Sequence, residues 1–289
     1  MSDIVYLNGA WVPRHEARIS PDDRGFLFGD GIYEVTPAYG GRWLALDRHL
    51  GRLARGATEL GLQVPPGLEQ LHAELLERNG LMTAPMAIVY LQLTRGTAPR
   101  THHFPAEDTP VTLYAWAKTF SRPDPERWSK GWGAVTAPDQ RWARADIKTV
   151  QLLPLVLAQE SARRAGETDA LLVRDGLMLE GAHNNVFFVL GDTLITHPAS
   201  NQILPGITRG IVLELARAEG IPCCEAPMPL ARLPEVSEIF FTGTTTEVRP
   251  TVRVNGEPVG DGRVGPVTRK IHEAFVARVE RECGVPLPV

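Results

Sequence analysis

The chain has 289 residues, of which 43% are apolar and 22% charged, and a formal net charge of −4. That length suits two domains or one large one, and the composition is that of an ordinary soluble globular protein. The mild negative charge gives no support for nucleic acid or an acidic membrane surface as a partner. The three cysteines, Cys223, Cys224 and Cys283, lack metal-ligand spacing, so no metal site is expected. Their odd number, without a secretory signal, points to reduced thiols and a cytoplasmic location. No targeting peptide and no apolar run of membrane-spanning length is expected.

In chain order, Ile4 to Val12 reads as a hairpin turned by Asn8-Gly9. The glycine-rich stretch Asp22 to Gly31 reads as a packed irregular loop, because no helix is expected after it to make a phosphate cradle. Ile32 to Thr36 is a strand. Asp47 is placed to cap a helix from Arg48 to about Leu60, and a second helix spans Leu68 to Arg78. Met86 to Thr94 and Val111 to Lys118 are strands. Between them, Arg95 to Pro105 gathers two arginines and two histidines within nine residues. Ser121 to Pro125 is polar and proline-punctuated, and the domain boundary is placed there.

The second half alternates strands and helices. Gly133 to Ala137 is a short strand, and a helix is expected from about Thr149 to Arg164. Strands at Ala170 to Val173 and Val186 to Leu190 flank Glu180 to Asn185. A helix starts in the Leu204 to Thr208 region and reaches about Glu219. Ile239 to Thr242 is a strand, Asn255-Gly256 turns a hairpin, and an amphipathic helix runs from about Gly265 to Arg281. Strands and helices mixed in both halves predict an α+β fold of two domains: residues 1–120, a linker at 121–130, and residues 131–289.

The chain has only four lysines, and Lys148 alone opens directly into an apolar run, Thr149 to Ala158. It reads either as a lysine snorkelling at a helix start or as a partly desolvated amine available as a nucleophile, as Schiff-base chemistry requires. Glu180 lies between apolar strands, where a carboxylate must find a partner. That partner is either an arginine or a proton held on a pyridine nitrogen, which would make a ring cofactor an electron sink. Gly206-Ile207-Thr208 at a helix start, the Gly243 to Thr246 run after a strand, and Arg52 on a helix are candidate phosphate ligands. Each also has an ordinary structural reading.

Six pieces in order carry a resemblance: Gly29 to Val35 (Gly-Asp-Gly-Ile-Tyr-Glu-Val), His49 to Leu53, Asp146-Ile147-Lys148, Glu180-Gly181, Leu204 to Arg209, and Gly243 to Pro250. Together they cover nearly the whole chain, and the chain resembles the class IV, or fold-type IV, pyridoxal-phosphate aminotransferases. The resemblance implies a small N-terminal α/β domain and a larger cofactor domain with a barrel-like core and flanking helices. It implies pyridoxal 5'-phosphate as cofactor, Lys148 as Schiff-base lysine and proton carrier, and Glu180 at the pyridine nitrogen. Arg52, Ile207, Thr208, Gly243 and Thr244 would bind the phosphate, with Leu204 against the ring face.

Within that family, Arg100-x-His102 followed by Phe104-Pro105 is similar to the carboxylate trap of D-amino acid aminotransferases, with Tyr33 completing it. There the arginine and histidine come from the neighbouring subunit, which implies a homodimer acting on D-amino acids and 2-oxo acids. Two departures stand out: Ala182-His183-Asn184, where D-specific enzymes often carry serines, and Pro205, where a polar residue is common. The alternatives are a branched-chain L-amino acid aminotransferase, an aminodeoxychorismate lyase or R-amine transaminase of the same fold, and a pyridoxal-phosphate-binding protein without turnover.

Overall fold

The computed structural model describes residues 3–287, which form two compact units. The first comprises residues up to 121 with the short segments 147–151 and 281–285; the second comprises 122–146, 152–280 and the chain end.

The first unit is an antiparallel sheet covered by helices. Its strands are β1 (Ile4–Leu7), β2 (Ala10–Pro13), β3 (Gly31–Tyr39), β4 (Arg42–Trp43), β5 (Ala87–Thr94) and β6 (Thr112–Thr119), in the order β2-β1-β6-β5-β3-β4. Three helices belong with them: α1 (Arg24–Phe28), α2 (Leu46–Leu60) and α3 (Leu68–Arg78). Along β3 the alternate residues Ile32, Glu34, Thr36 and Ala38 are buried, as a half-covered strand requires. On α2 the buried residues are His49, Leu53, Gly56 and Ala57, one stripe of a 3.6-residue period. These stripes, with Leu71, Leu75 and Leu76 of α3 and Leu91 and Leu93 of β5, make one apolar core. Each such leucine contributes about 1.5–3 kcal/mol by leaving water.

Three local expectations are corrected here. The Asp22–Gly31 stretch is not irregular throughout: α1 forms within it, because the Asp23 carboxylate accepts from the Gly25 amide (2.8 Å) and Gly29 closes the helix at φ 67°. Asp47 is not the cap of α2. The helix begins two residues earlier than expected, at Leu46, with Ala45 at φ 55° and no side-chain cap, and Asp47 sits in the first turn, where its charge favours the dipole. The helix expected from Thr149 starts only at Leu153. Residues 149 and 150 stay out of it, because Thr149 bridges Ile32 and the Val150 amide donates to Gly31 O (3.1 Å).

The second unit is built on a 10-stranded mixed sheet in the order β12-β11-β10-β14-β15-β7-β8-β9-β13, with β16 added on β15. In chain order these elements are α4 (Pro125–Lys130), β7 (Trp132–Pro138), α5 (Leu153–Arg164), β8 (Asp169–Arg174), β9 (Leu177–Gly181), β10 (Asn185–Leu190) and β11 (Thr193–Thr196). There follow α6 (Ile207–Ala218), β12 (Cys223–Glu225), β13 (Met228–Pro229), β14 (Glu238–Gly243), β15 (Glu247–Val254), β16 (Glu257–Pro258) and α7 (Pro266–Cys283). The end of the expected linker is therefore helical: α4 is capped by Asp124, whose carboxylate accepts from the Arg127 amide. β7 and β8 run parallel with α5 between them in sequence, the crossover that parallel pairing demands. α5 packs Ala158 and Ala162 onto Ala137, Ala170 and Leu172. That leaves Leu153, Val156 and Leu157 of α5 exposed, at 67%, 57% and 55%.

Candidate active site

Lys148 lies in the first unit, in the short segment that bonds to β3. Its carbonyl accepts from the Tyr33 amide (2.9 Å), and its ammonium stands 4.3 Å from the centre of the Tyr33 ring. The side chain is half-buried and has no carboxylate partner among the described residues. In the apolar run after it, Leu153, Val156 and Leu157 are exposed to solvent. Its surroundings come instead from β3, through Tyr33, and from the buried Ile147 before it.

Behind the same strand, Glu34 is 1% exposed and points at α2. Arg52 grips it with two bonds, Nε to Oε2 (3.0 Å) and Nη2 to Oε1 (2.7 Å). His49 Nδ1 lies 3.0 Å from Oε1. Burial alone would raise the Glu34 carboxyl, but Arg52 and the His49 hydrogen bond outweigh it and hold the group far below the usual carboxylate range. Burial lowers the His49 pKa, only partly offset by Glu34, so the ring is neutral near pH 7 and donates from Nδ1. Arg52 thus turns its Nε and Nη2 donors to Glu34, a partner that sequence reasoning missed. The available signal was a lone glutamate on the apolar phase of a strand.

The loop after β5 places Arg100 and His102 on the surface around Phe28, with the Arg100 guanidinium 5.3 Å and the His102 ring 5.9 Å from the Phe28 ring. Arg100 has no carboxylate partner among the described residues. Tyr33 keeps other company, stacking on Tyr90 at 5.6 Å, which in turn stacks on Trp116 at 5.1 Å.

The second unit carries the remaining candidates. Glu180 lies near the end of β9, 3% exposed. It accepts from Arg141 Nη1, from Asn185 Nδ2 (2.8 Å) and from the Leu204 amide (3.1 and 3.2 Å to its two oxygens). Burial pushes its carboxyl up to about 7, against the lowering by Arg141 and the Leu204 amide. Arg141 cannot do more because it is shared. Its Nε and Nη2 hold Asp139 at 2.8 and 2.9 Å, and Asp139 also takes Arg174 (3.0 Å). Neither Arg141 nor Asp139 is recognisable in the sequence as a partner of Glu180, with Arg141 39 residues away.

Beside Glu180, Asn185 Nδ2 also donates to Leu204 O (2.8 Å). A Cβ on Gly206 would lie 2.0 Å from Asn185 Oδ1, so glycine is required there. Gly206 opens α6 without a side-chain cap, which leaves the amides of Ile207 and Thr208 facing an anion-favouring helix end. Gly243 ends β14, and the Thr244 to Thr246 turn leads to Glu247, held at φ 51° with its carboxylate on Arg122 Nε (2.6 Å). His183 is exposed and Pro205 half-buried. Glu180 and Leu204, two residues before Gly206, are thus joined by direct hydrogen bonds and through Asn185.

The amino-transferase class IV family has a sequence model that matches residues 31–254. A D-alanine aminotransferase of Staphylococcus haemolyticus is 38% identical over 279 residues, covering 96% of this chain and 98% of the relative. One from Bacillus licheniformis is 38% identical over 272 residues, covering 94% and 95%. Among solved structures, a branched-chain amino acid aminotransferase of Escherichia coli aligns with a TM-score of 0.89 at 25% identity, covering 99% of this chain and 97% of its own. The T.th. branched-chain amino acid aminotransferase with pyridoxamine 5'-phosphate aligns at 0.86 and 26% identity, covering 98% and 95%.

Proposed function

The chain belongs to the class IV aminotransferases, of fold-type IV and dependent on pyridoxal 5'-phosphate, and we propose that it transfers the amino group between D-amino acids and 2-oxo acids. The observation that carries the choice of substrate is Arg100: an exposed guanidinium with no carboxylate partner among the described residues, two residues from His102 and next to the same aromatic ring. The D-alanine aminotransferase relatives, alike over nearly their whole length, support the same reading.

The second unit's own geometry fits the cofactor. The start of α6 presents backbone donors that no side chain caps, as a phosphate needs. We assign the phosphate to Ile207 and Thr208 there, to Gly243 and Thr244 after β14, and to Arg52. Leu204 would pack against the cofactor ring, and the Glu180 carboxyl would hold the proton at the ring nitrogen. When bound, pyridoxal 5'-phosphate supplies an aldehyde carbon to receive the amino group and a ring that withdraws electrons from the substrate α-carbon. Lys148 contributes the amine that anchors the aldehyde and that moves the proton at the α-carbon. It suits both tasks because no carboxylate pins its ammonium. Tyr33 shields one side of that amine, and Arg100 with His102 clamps the substrate carboxylate, which decides which enantiomer offers its hydrogen to Lys148.

We further propose that the enzyme is a cytoplasmic homodimer in which each subunit lends Arg100 and His102 to its partner. The exposed apolar stripe Leu153, Val156 and Leu157 of α5 supports a subunit contact. No helix among the described residues is long and apolar enough to cross a membrane.

The test mixes holoenzyme separately with D-alanine, D-glutamate, L-alanine and L-leucine and follows the cofactor absorbance. The D-amino acids should bleach the band fastest. Arg100→Ala should lower kcat/KM for D-alanine about ten- to a hundredfold, the worth of a charged hydrogen bond, and affect amines without a carboxylate far less. Faster bleaching by L-leucine would instead favour the branched-chain activity named for the structural neighbours.

A further inference from the structure

The loop that carries Arg100 and His102 is exposed, yet it is tied down by a buried charge that neither residue touches. Asp30, immediately before β3, accepts two guanidinium bonds on one oxygen: Arg24 Nε at 2.9 Å and Arg95 Nε at 2.8 Å. All three side chains are about nine-tenths or more buried. Arg24 then donates from Nη1 to Thr101 O (2.8 Å), the carbonyl between Arg100 and His102. Arg95 lays its guanidinium on the ring of Phe104, 3.6 Å from its centre, and donates to Leu60 O and Gly61 O at the end of α2. Both ends of the loop's charged segment therefore trace back to one carboxylate.

The backbone repeats the tie. The Arg95 amide donates to Asp30 O, the Arg24 amide to Gly96 O and the Ala98 amide to Asp22 O, and Asp23 bridges Thr97. Gly96, at φ 85°, lies so close to Pro110 O that a Cβ would fall 1.9 Å from it. The Asp22–Gly31 stretch is the template on which the loop after β5 is laid. Arg24 and Arg100 place two guanidinium groups beside the Phe28 ring, 4.7 and 5.3 Å from its centre, while Arg95 lies over Phe104.

We propose that Asp30 is the positioning residue of the substrate-carboxylate loop: through Arg24 and Arg95 it fixes the backbone between Arg100 and His102, and so sets how strongly the site selects substrates bearing a carboxylate. The role rests on the reading of Arg100 and His102 as the carboxylate clamp. Asp30 touches neither the substrate nor the cofactor groups assigned above, so its effect falls on binding rather than on the chemical step.

The experiment compares Asp30→Asn and Phe104→Ala with wild-type holoenzyme. Steady-state kinetics with D-alanine are read beside hydrogen–deuterium exchange of the amides of residues 100–104. Asp30→Asn should raise KM about tenfold or more while kcat stays within about threefold, cofactor absorbance per chain stays unchanged, and the loop amides exchange about tenfold faster. Phe104→Ala, at an exposed position, should move KM and exchange the same way by about two- to fivefold. If Asp30→Asn does not fold, Phe104→Ala decides by the same two readings. Unchanged KM and exchange, or a fall in kcat at constant KM, overturns the proposal. A wild-type enzyme that ignores D-amino acids overturns the substrate reading instead. In that case the loop exchange, and KM for the amino acid it does accept, still decide the role of Asp30.

Discussion

Two glutamates, one in each unit, are both almost completely buried and both held by arginine, yet their acidities move in opposite directions. Glu34 has Arg52 in a two-bond grip, with His49 adding a third donor, and its carboxyl is driven far down. Glu180 receives one bond from Arg141, whose other two donors serve Asp139, and the second negative charge of Asp139 presses the same way as burial. Burial raises both groups; what differs is how much of a cation each commands. A carboxylate gripped by a guanidinium through two donors is locked in charge and serves architecture. One that shares its guanidinium stays near neutrality in its proton affinity, the condition a group needs to exchange or hold a proton at working pH. On the proposed function, Glu180 is the chemical member of the pair and Glu34 the fixed one.

The largest expected effect belongs to Lys148, which follows the same strand pairing as the Glu34 cluster without an ion pair of its own among the described residues. Lys148→Ala should lower turnover at least about 10⁴-fold, since anchor and proton carrier go together, and leave the thermal midpoint close to wild type. A large loss of stability would mean that Lys148 belongs to the architecture after all. Glu180→Gln comes next. Its kcat should fall about 10²- to 10³-fold, the cost of losing a group aimed at developing charge, while absorbance shows the cofactor retained. A variant that sheds cofactor but keeps its rate per occupied site would make Glu180 structural and erase the contrast.

How much of this is legible in the sequence follows from what kind of contact each residue makes. Lys148 stands out by scarcity and position, but not for the reason its neighbours suggest. The exposed members of the apolar run after it, Leu153, Val156 and Leu157, form the outward stripe of α5, and bonding to β3 keeps residues 149 and 150 out of that helix. No local signal tells an apolar stripe facing solvent from one facing a core. The Asn8-Gly9 hairpin and the α3 boundaries are readable because turn chemistry and helical period are local. The α1 helix is hidden in a glycine-rich stretch of about ten residues, where the Asp23 cap decides. Arg141 and Asp139 cannot be matched to Glu180, nor Asp30 to the Arg100 loop, because those pairings exist only once strands distant in sequence are laid side by side.

Glu34→Gln should be a stability variant. Arg52 would be left buried without its counter-charge, which typically costs about 3–5 kcal/mol. The urea midpoint should fall accordingly, with the rate per folded site changed far less than in Glu180→Gln. Equal losses of rate in the two variants would show that both glutamates act on the reaction.

The smallest effect is also the most discriminating, because the two glutamates should respond to pH with opposite sign. Glu34 has a folded-state acidity below its ordinary value of 4.5. Its stabilisation is therefore complete above that pH and is lost as the solution is acidified. Glu180 rises from 4.5 to about 7, so the folded chain binds a proton that the unfolded chain has already released. Its contribution is full below about pH 4.5, declines as pH rises toward 7, and is constant above that. The whole change is worth about 3 kcal/mol. On cofactor-free protein, the difference in unfolding free energy between wild type and Glu180→Gln should shift against wild type from pH 5 to pH 8. The difference between wild type and Glu34→Gln should be flat over the same interval and shrink only in acid. If the Glu180 difference is flat as well, then Arg141 holds that carboxylate as firmly as Arg52 holds its partner, and sharing with Asp139 costs Glu180 nothing.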